Sequence, residues 1–308
     1  MKAVDANSIT HRYGKITAVD DVSFTINEDE LFGFIGPDGA GKTTLLRIAA
    51  TLIIPSGGRM TLFGLNVVSD FRELRNHIGY MPGRFSLYTD LTVEENLRFY
   101  ATIFGTTIQE NYHLIEPIYK QIEPFRKRRA GRLSGGMKQK LALSCALIHK
   151  PRILILDEPT TGVDAVSRTE FWEMLEGLKR EGITIIVSTP YMDEALRCDR
   201  IALMQQGKLM GIDTPAAIRS SYVNKIYAVS HPDRYRLLLA LRAMTEVVNP
   251  EPFGEAVHIN LREGATAEDV KRSLSQAGLE NAEVTEITPG IEDVFLEMMK
   301  REGEDLKV

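Results

Sequence analysis

The sequence predicts an α/β protein, a mainly parallel sheet covered by helices, followed by a small α+β module. Three observations carry this. Short apolar runs at 31–35, 153–156 and 183–187 alternate with helical patterns, as strands and crossover helices do in a parallel sheet. The run Ile153-Leu154-Ile155-Leu156 is apolar at every position, as a strand buried on both faces requires. After Thr214-Pro215, a helix start, the texture changes to short strands and helices in the order βαββαβ.

Element by element, Leu31-Phe32-Gly33-Phe34-Ile35 reads as a strand and 42–50 as the helix after it. The stretch 91–150 is helical in pattern and reads as an insertion into the α/β core. Helices at 165–181 and 191–197 separate the later strands. In the last third, 226–229, 246–248, 257–261 and 282–287 read as strands, and 232–243, 267–277 and 291–301 as helices. The sequence therefore places one domain at 1–220 and a second, ferredoxin-like one at 221–308.

Composition narrows the class. In 308 residues, 44% are hydrophobic and 26% charged, which is ordinary globular composition. A net charge of -5 gives no basic surplus for nucleic acid. The basic run Arg126-Lys127-Arg128-Arg129 reads as a solvated helix end or loop. No apolar run reaches the ~20 residues needed to span a bilayer. The start, with Asp5 and no apolar stretch, does not read as a signal peptide. Membrane contact is thus expected through a partner. Cys145 and Cys198 lack CxxC or zinc spacing and read as inert core thiols in a reducing compartment.

Gly36-Pro37-Asp38-Gly39-Ala40-Gly41-Lys42-Thr43 fits G-x-x-x-x-G-K-[ST] between a predicted strand and helix. Glycines let backbone N–H groups turn toward phosphate oxygens, and the helix N-terminus adds positive potential there. Lys42 can reach the β- and γ-phosphates, and the Thr43 hydroxyl can ligate Mg²⁺. Asp157-Glu158 ends the apolar run at 153–156, where ligands bind in open parallel sheets. Asp157 suits Mg²⁺, and Glu158 can polarise an attacking water. Taken alone, an acidic pair after a strand also reads as a helix cap.

Leu133-Ser134-Gly135-Gly136 heads another helix. A Ser-Gly-Gly start exposes free amides and makes a second anion cradle. One ATP does not need two cradles in one chain, whereas two chains facing head to tail do.

In this order and spacing, these motifs resemble the ATP-binding cassette of ABC transporters, over residues 1 to about 220. The resemblance implies a P-loop NTPase cassette with a parallel core, an antiparallel β subdomain and a helical subdomain at 91–150. It implies ATP and Mg²⁺ as cofactors, nucleotide contacts at Gly36 through Thr43 and at Thr44, and metal contacts at Thr43 and Asp157. Glu158 is then the catalytic residue, and Leu133, Ser134, Gly135 and Gly136 act in trans on a second cassette. Tyr13 occupies the place of the aromatic that stacks on adenine. Asp164 in Gly162-Val163-Asp164 resembles the D-loop. Met192-Asp193-Glu194-Ala195 and Ile291-Glu292-Asp293-Val294-Phe295-Leu296 resemble the drug and antibiotic export branch, whose subunits serve ABC-2 type membrane permeases. That implies a place on the cytoplasmic face of the membrane.

Two positions depart from the family pattern. Gly83 follows Tyr80-Met81-Pro82, where the family carries the Q-loop glutamine. Pro190 follows Val187-Ser188-Thr189, where the family carries the switch histidine. Neither glycine nor proline has a side chain that can replace those contacts. Either compensation elsewhere preserves hydrolysis, or this chain's own site binds ATP and turns it over slowly. The second reading is favoured, because both losses fall on the γ-phosphate face. It implies a heterodimer of one weak and one active site, with a homodimer as the other arrangement. Asp38 stands where asparagine is commoner; its carboxylate either weakens triphosphate binding by repulsion or, the favoured reading, points away and caps the loop.

At the level of the whole protein, the sequence leaves a transport ATPase beside a nucleotide-gated regulatory subunit. A soluble ABC protein acting on ribosomes or DNA fits least, since such chains carry a second cassette or a long coiled coil. Phe85, Leu87 and Tyr88 either pack internally or form a groove for a helix of the membrane partner.

Overall fold

The structure, a computed structural model, describes residues 1–305, with side chains described to residue 300. The last residues of the expected second domain, 306–308, lie outside it. The chain divides into two units, Met1–Pro215 and Ala216 onward. The sequence reading puts that division after residue 220. It falls earlier because the helix opened by Pro215 is tied to the second unit, where Arg219 Nε donates to Pro289 O at 2.8 Å.

The first unit begins with a hairpin, β1 (Lys2–Tyr13) and β2 (Ile16–Asn27), then β3 (Leu31–Ile35) and α1 (Lys42–Ala49). Next come β4 (Gly57–Leu62), β5 (Leu65–Asn66), α2 (Phe71–Leu74) and β6 (Ile78–Met81). The helical stretch holds α3 (Val93–Ile103), α4 (Tyr112–Tyr119) and α5 (Gly135–Leu147). The chain returns through β7 (Ile153–Asp157), α6 (Ala165–Arg180), β8 (Thr184–Thr189), β9 (Arg200–Gln205) and β10 (Lys208–Asp213), after which α7 (Pro215–Ser220) leads into the second unit. The helix expected at 191–197 is a 3-10 helix over Met192–Arg197.

Two sheets result. One is antiparallel, in the order β2-β1-β4-β5, and the other runs β10-β9-β3-β8-β7-β6, parallel except for β10. The strands β3, β7 and β8 are buried at every residue, which is why their sequences do not alternate. They are also neighbours, so their carboxyl ends open side by side at one edge. The helices α3 and α5 are started by side-chain caps. Thr92 and Glu95 form a reciprocal capping box on α3, and Ser134 accepts from Met137 N on α5.

The second unit contains β11 (Ile226–Ser230), α8 (Arg234–Ala243), β12 (Val247–Phe253), β13 (Ala256–Leu261), α9 (Ala267–Gln276), β14 (Glu283–Ile287) and α10 (Ile291–Asp305). Its antiparallel sheet has the order β12-β13-β11-β14, a split βαβ arrangement. The strand β12 extends past the expected 246–248, through Pro250 and Pro252. Proline is tolerated because β12 is an edge strand that need not donate outward. Against β13, a buried His258–Asp293 bond of 2.8 Å anchors α10, and Asp293 also accepts from Gly290 N at 2.7 Å.

Candidate nucleotide site

The loop between β3 and α1 carries Gly36 through Thr43. Gly41, with φ of 99°, is the N-cap of α1 and holds a left-handed conformation that glycine adopts without strain. A Cβ at Gly36 would lie 2.2 Å from Met204 O, and one at Gly41 would lie 2.4 Å from Ala18 O. These two glycines are thus required by close backbone approach.

Lys42 is buried and its Nζ donates to Gly36 O at 2.7 Å and Pro37 O at 2.9 Å. It stands 3.9 Å from Glu158 Oε1. Burial lowers the ammonium's affinity for its proton, against the opposing charges of Glu158, Asp38 and Asp157. The Thr43 hydroxyl donates to Asp157 Oδ1 at 2.9 Å. Together with Ala18, Gly39, Ala40, Gly41, Thr44 and Glu158, Lys42 and Thr43 line a cavity of about 200 Å³.

Glu158 follows β7 in a left-handed conformation with φ of 47°. Burial raises its carboxyl above the usual range, while Lys42 pulls it down. Its N–H donates to Ser188 O and to Ser188 Oγ, each at 3.0 Å. Ser188 Oγ in turn donates to Asp157 Oδ1 at 2.7 Å. The sequence reading missed Ser188. Only the sheet order, which sets β8 beside β7 with Asp157 opposite Ser188, brings it into the site.

The donor set fits Mg²⁺ with ATP. Hydroxyl and carboxylate oxygens suit a hard cation that takes one or two protein ligands and completes its shell with phosphates and water. No cluster of three or more His, Cys, Asp or Glu that could hold a metal by itself occurs among the described residues. Arrayed amides and Lys42 suit a triphosphate.

The signature residues Leu133, Ser134, Gly135 and Gly136 do not line this cavity. Gly135 and Gly136 pack on the segment before and within α6. A Cβ at Gly135 would meet Gly162 O at 3.2 Å, and one at Gly136 would meet Ser167 Oγ at 2.9 Å. Asp164 caps α6 by accepting from Ser167 N at 3.0 Å, which holds its carboxyl below the usual range. Tyr13 is half exposed near the turn of the hairpin whose Ala18 lines the cavity, with the His11 ring edge-on at 4.6 Å.

Gly83 lies against the end of β7. A Cβ there would stand 3.1 Å from Asp157 O and 3.6 Å from Glu158 Cβ. Pro190 is partly buried between Thr189 and Tyr191, and Tyr191 N donates to Thr189 Oγ1 at 3.0 Å.

A second, apolar groove of about 490 Å³ runs between β6, the 85–87 segment, α3 and α5. Phe85 and Leu87 line it, as does His149. Tyr88 does not. It is 51% exposed and packs edge-on against Phe99 at 4.8 Å.

Residues 19–161 match the ABC transporter family model. The chain is 37% identical over 290 residues to the probable multidrug ABC transporter ATP-binding protein YbhF of Escherichia coli K12. That match takes in 93% of this chain and spans about half the length of YbhF, 50%. To the Nod factor export ATP-binding protein I of Burkholderia lata it is 33% identical over 306 residues, covering 98% of each chain. Among solved structures, CbiO1 from Clostridium perfringens, part of an ABC transporter complex, is similar at 25% identity and a TM-score of 0.64. That likeness covers 71% of this chain and 91% of CbiO1. The ATP-binding cassette MJ0796, in a dimeric post-hydrolysis state bound to ADP and Pi, is similar at 26% identity and a TM-score of 0.62. It covers 68% of this chain and 98% of MJ0796. With this fold, a matching family model and a relative matched along nearly its whole length, the chain belongs to the ATP-binding proteins of the ABC transporter family.

Proposed function

We propose that this chain is the ATP-binding subunit of an exporter, coupling Mg-ATP binding and hydrolysis to transport by an ABC-2 type membrane permease. One observation carries the reading. Lys42, Thr43, Asp157 and Glu158 converge on one edge of the sheet, while the signature lies outside their cavity, as a cradle acting on a second cassette would. No helix among the described residues is long and apolar enough to cross a membrane, so the proposed permease supplies the membrane-spanning part and the chain sits on its cytoplasmic face.

In this reading, Lys42 exchanges its bonds to Gly36 O and Pro37 O for phosphate oxygens, and Thr43 and Asp157 hold Mg²⁺. The cation, when bound, neutralises charge that develops on the phosphates. Glu158 accepts a proton from the attacking water, and Tyr13 stacks on adenine. Phe85 and Leu87 contribute to the groove that receives a helix of the permease.

The absent side chains at Gly83 and Pro190 support a finer reading, in which this chain's own site is degenerate and its preferred partner is a different cassette. Loss of one preorganised transition-state contact costs roughly 10²–10³ in rate. A second reading, a nucleotide-gated regulatory subunit without useful turnover, rests on the same two positions. Glu158 favours retained catalysis.

The test is ATP hydrolysis by the purified chain, by a Glu158→Gln variant and by the double variant Gly83→Gln, Pro190→His. Slow turnover that disappears in Glu158→Gln and rises in the double variant supports a weak catalytic site. Turnover by the unaltered chain at ordinary transporter rates removes the degenerate reading. No turnover above the Glu158→Gln background, with ATP binding intact, favours the regulatory subunit.

A further inference from the structure

Beside the proposed reaction centre, Ser188 is fully buried at the carboxyl end of β8. Its hydroxyl is used twice. It donates to Asp157 Oδ1 at 2.7 Å and accepts from Glu158 N at 3.0 Å. Thr43 donates to the same Oδ1 at 2.9 Å. Both hydroxyls therefore hold one oxygen of Asp157, and no hydrogen bond from a described residue falls on Oδ2.

The second contact bears on Glu158. A non-glycine residue at φ of 47° is strained, and persists only where its surroundings over-determine it. The Glu158 amide is shared between Ser188 O and Ser188 Oγ, and this bifurcated bond is what pins the turn. The turn direction sets where the carboxylate leaves the strand. On the adjoining segments, Gly83 has no side chain to brace either acid, and Pro190 has no donor.

We propose that Ser188 is a positioning residue for the nucleotide reaction, whose hydroxyl locks the Asp157 carboxylate and, through the Glu158 amide, the left-handed turn that aims Glu158. This rests on the reading of Asp157 and Glu158 given above. Ser188 does not touch the reacting atoms.

The test uses the full chain and the variants Ser188→Ala and Ser188→Thr. Four quantities are read: the melting temperature, affinity for a fluorescent ATP analogue with EDTA and with Mg²⁺, kcat and KM for ATP, and hydrogen exchange at the Glu158 amide. Loss of a hydrogen bond to a charged group is expected to lower kcat and the Mg²⁺-dependent gain in affinity roughly 10-fold in Ser188→Ala. Metal-free affinity and melting stay near the wild type, and exchange at Glu158 rises. Ser188→Thr, which keeps the hydroxyl, recovers the lost function.

The proposal is overturned if Ser188→Ala matches the wild type in kcat, Mg²⁺ dependence and exchange. It is equally overturned if Ser188→Ala loses metal-free affinity and thermal stability in step with everything else, which marks a merely structural role. If neither the wild type nor Glu158→Gln hydrolyses ATP above background, the ATPase reading fails by itself. The Mg²⁺-dependent affinity and the exchange at Glu158 then still decide Ser188.

Discussion

The His149 ring lies flat on Phe104, with centroids 3.8 Å apart and planes 9° from parallel, at the wall of the apolar groove. Its Nε2–H donates to Ile78 O at 3.0 Å, and burial pushes its pKa down to about 4. The unfolded chain takes up a proton there near pH 6.5, which the native state refuses. This contribution to stability is therefore complete above that pH and is lost as pH falls toward 4. A His149→Phe variant should show a flatter acid limb in urea denaturation, at a cost of about 1 kcal/mol at pH 8 for the lost bond to Ile78 O. An unchanged acid limb would assign that limb to other groups.

The glycines of the phosphate loop should separate into two kinds. Gly36→Ala forces a Cβ to 2.2 Å from Met204 O, a backbone atom that cannot swing away. It should destabilise the fold by about 1–3 kcal/mol. Gly39 has φ of 80° but open space around it. Gly39→Ala should cost about 1–2 kcal/mol in strain and fall mainly on ATP affinity, because the loop can relax outward when empty. Thermal melts paired with nucleotide titration separate the two effects.

Glu158 holds a conformation that glycine would adopt freely. Glu158→Gly should raise stability by about 1 kcal/mol while abolishing hydrolysis, the exchange expected of a strained functional residue. Glu158→Gln should keep ATP affinity and lose about 10²-fold or more in rate. Because burial raises the Glu158 carboxyl, turnover by the unaltered chain should climb with pH through that raised value, and the climb should be absent in Glu158→Gln. A stabilised Glu158→Gly variant that still hydrolyses ATP would move the base elsewhere.

In the second unit, Asp293 both receives His258 Nδ1–H and closes the first turn of α10. Asp293→Ala leaves a part-buried imidazole and an amide without this acceptor, and should cost about 1–3 kcal/mol. Hydrogen exchange should rise first in β13 and α10. Exchange unchanged in both elements would mean that the buried apolar side chains Ile291, Val294 and Phe295 hold α10 without the His258–Asp293 bond.

Much of this protein was legible before folding is considered. The loop between β3 and α1 could be read, and proposed as a phosphate cradle, because its pattern is local, with glycines, Lys42 and Thr43 within one turn of a helix start. The runs ending at Ile35 and Asp157 announced buried parallel strands, since burial on both faces removes alternation. Two segments mark the limit. The extension of β12 through Pro250 and Pro252 was invisible, because edge position is a property of the sheet and not of the strand. The 3-10 form of Met192–Arg197 was likewise hidden, as its six residues suit either helix and tertiary packing selects between them.

What the sequence offered by itself was the set of groups proposed to meet a nucleotide: Lys42, Thr43, Asp157 and Glu158, with Gly83 and Pro190 as departures. What only the tertiary structure decided was how those groups are held. Strand order places β8 between β3 and β7, so residues far apart in the chain share one edge. That order makes Ser188 the neighbour of Asp157, sets Gly83 against the end of β7, and keeps the signature out of the cavity. Spacing along a chain encodes helix turns and loops, whereas register between strands arises only when the sheet assembles.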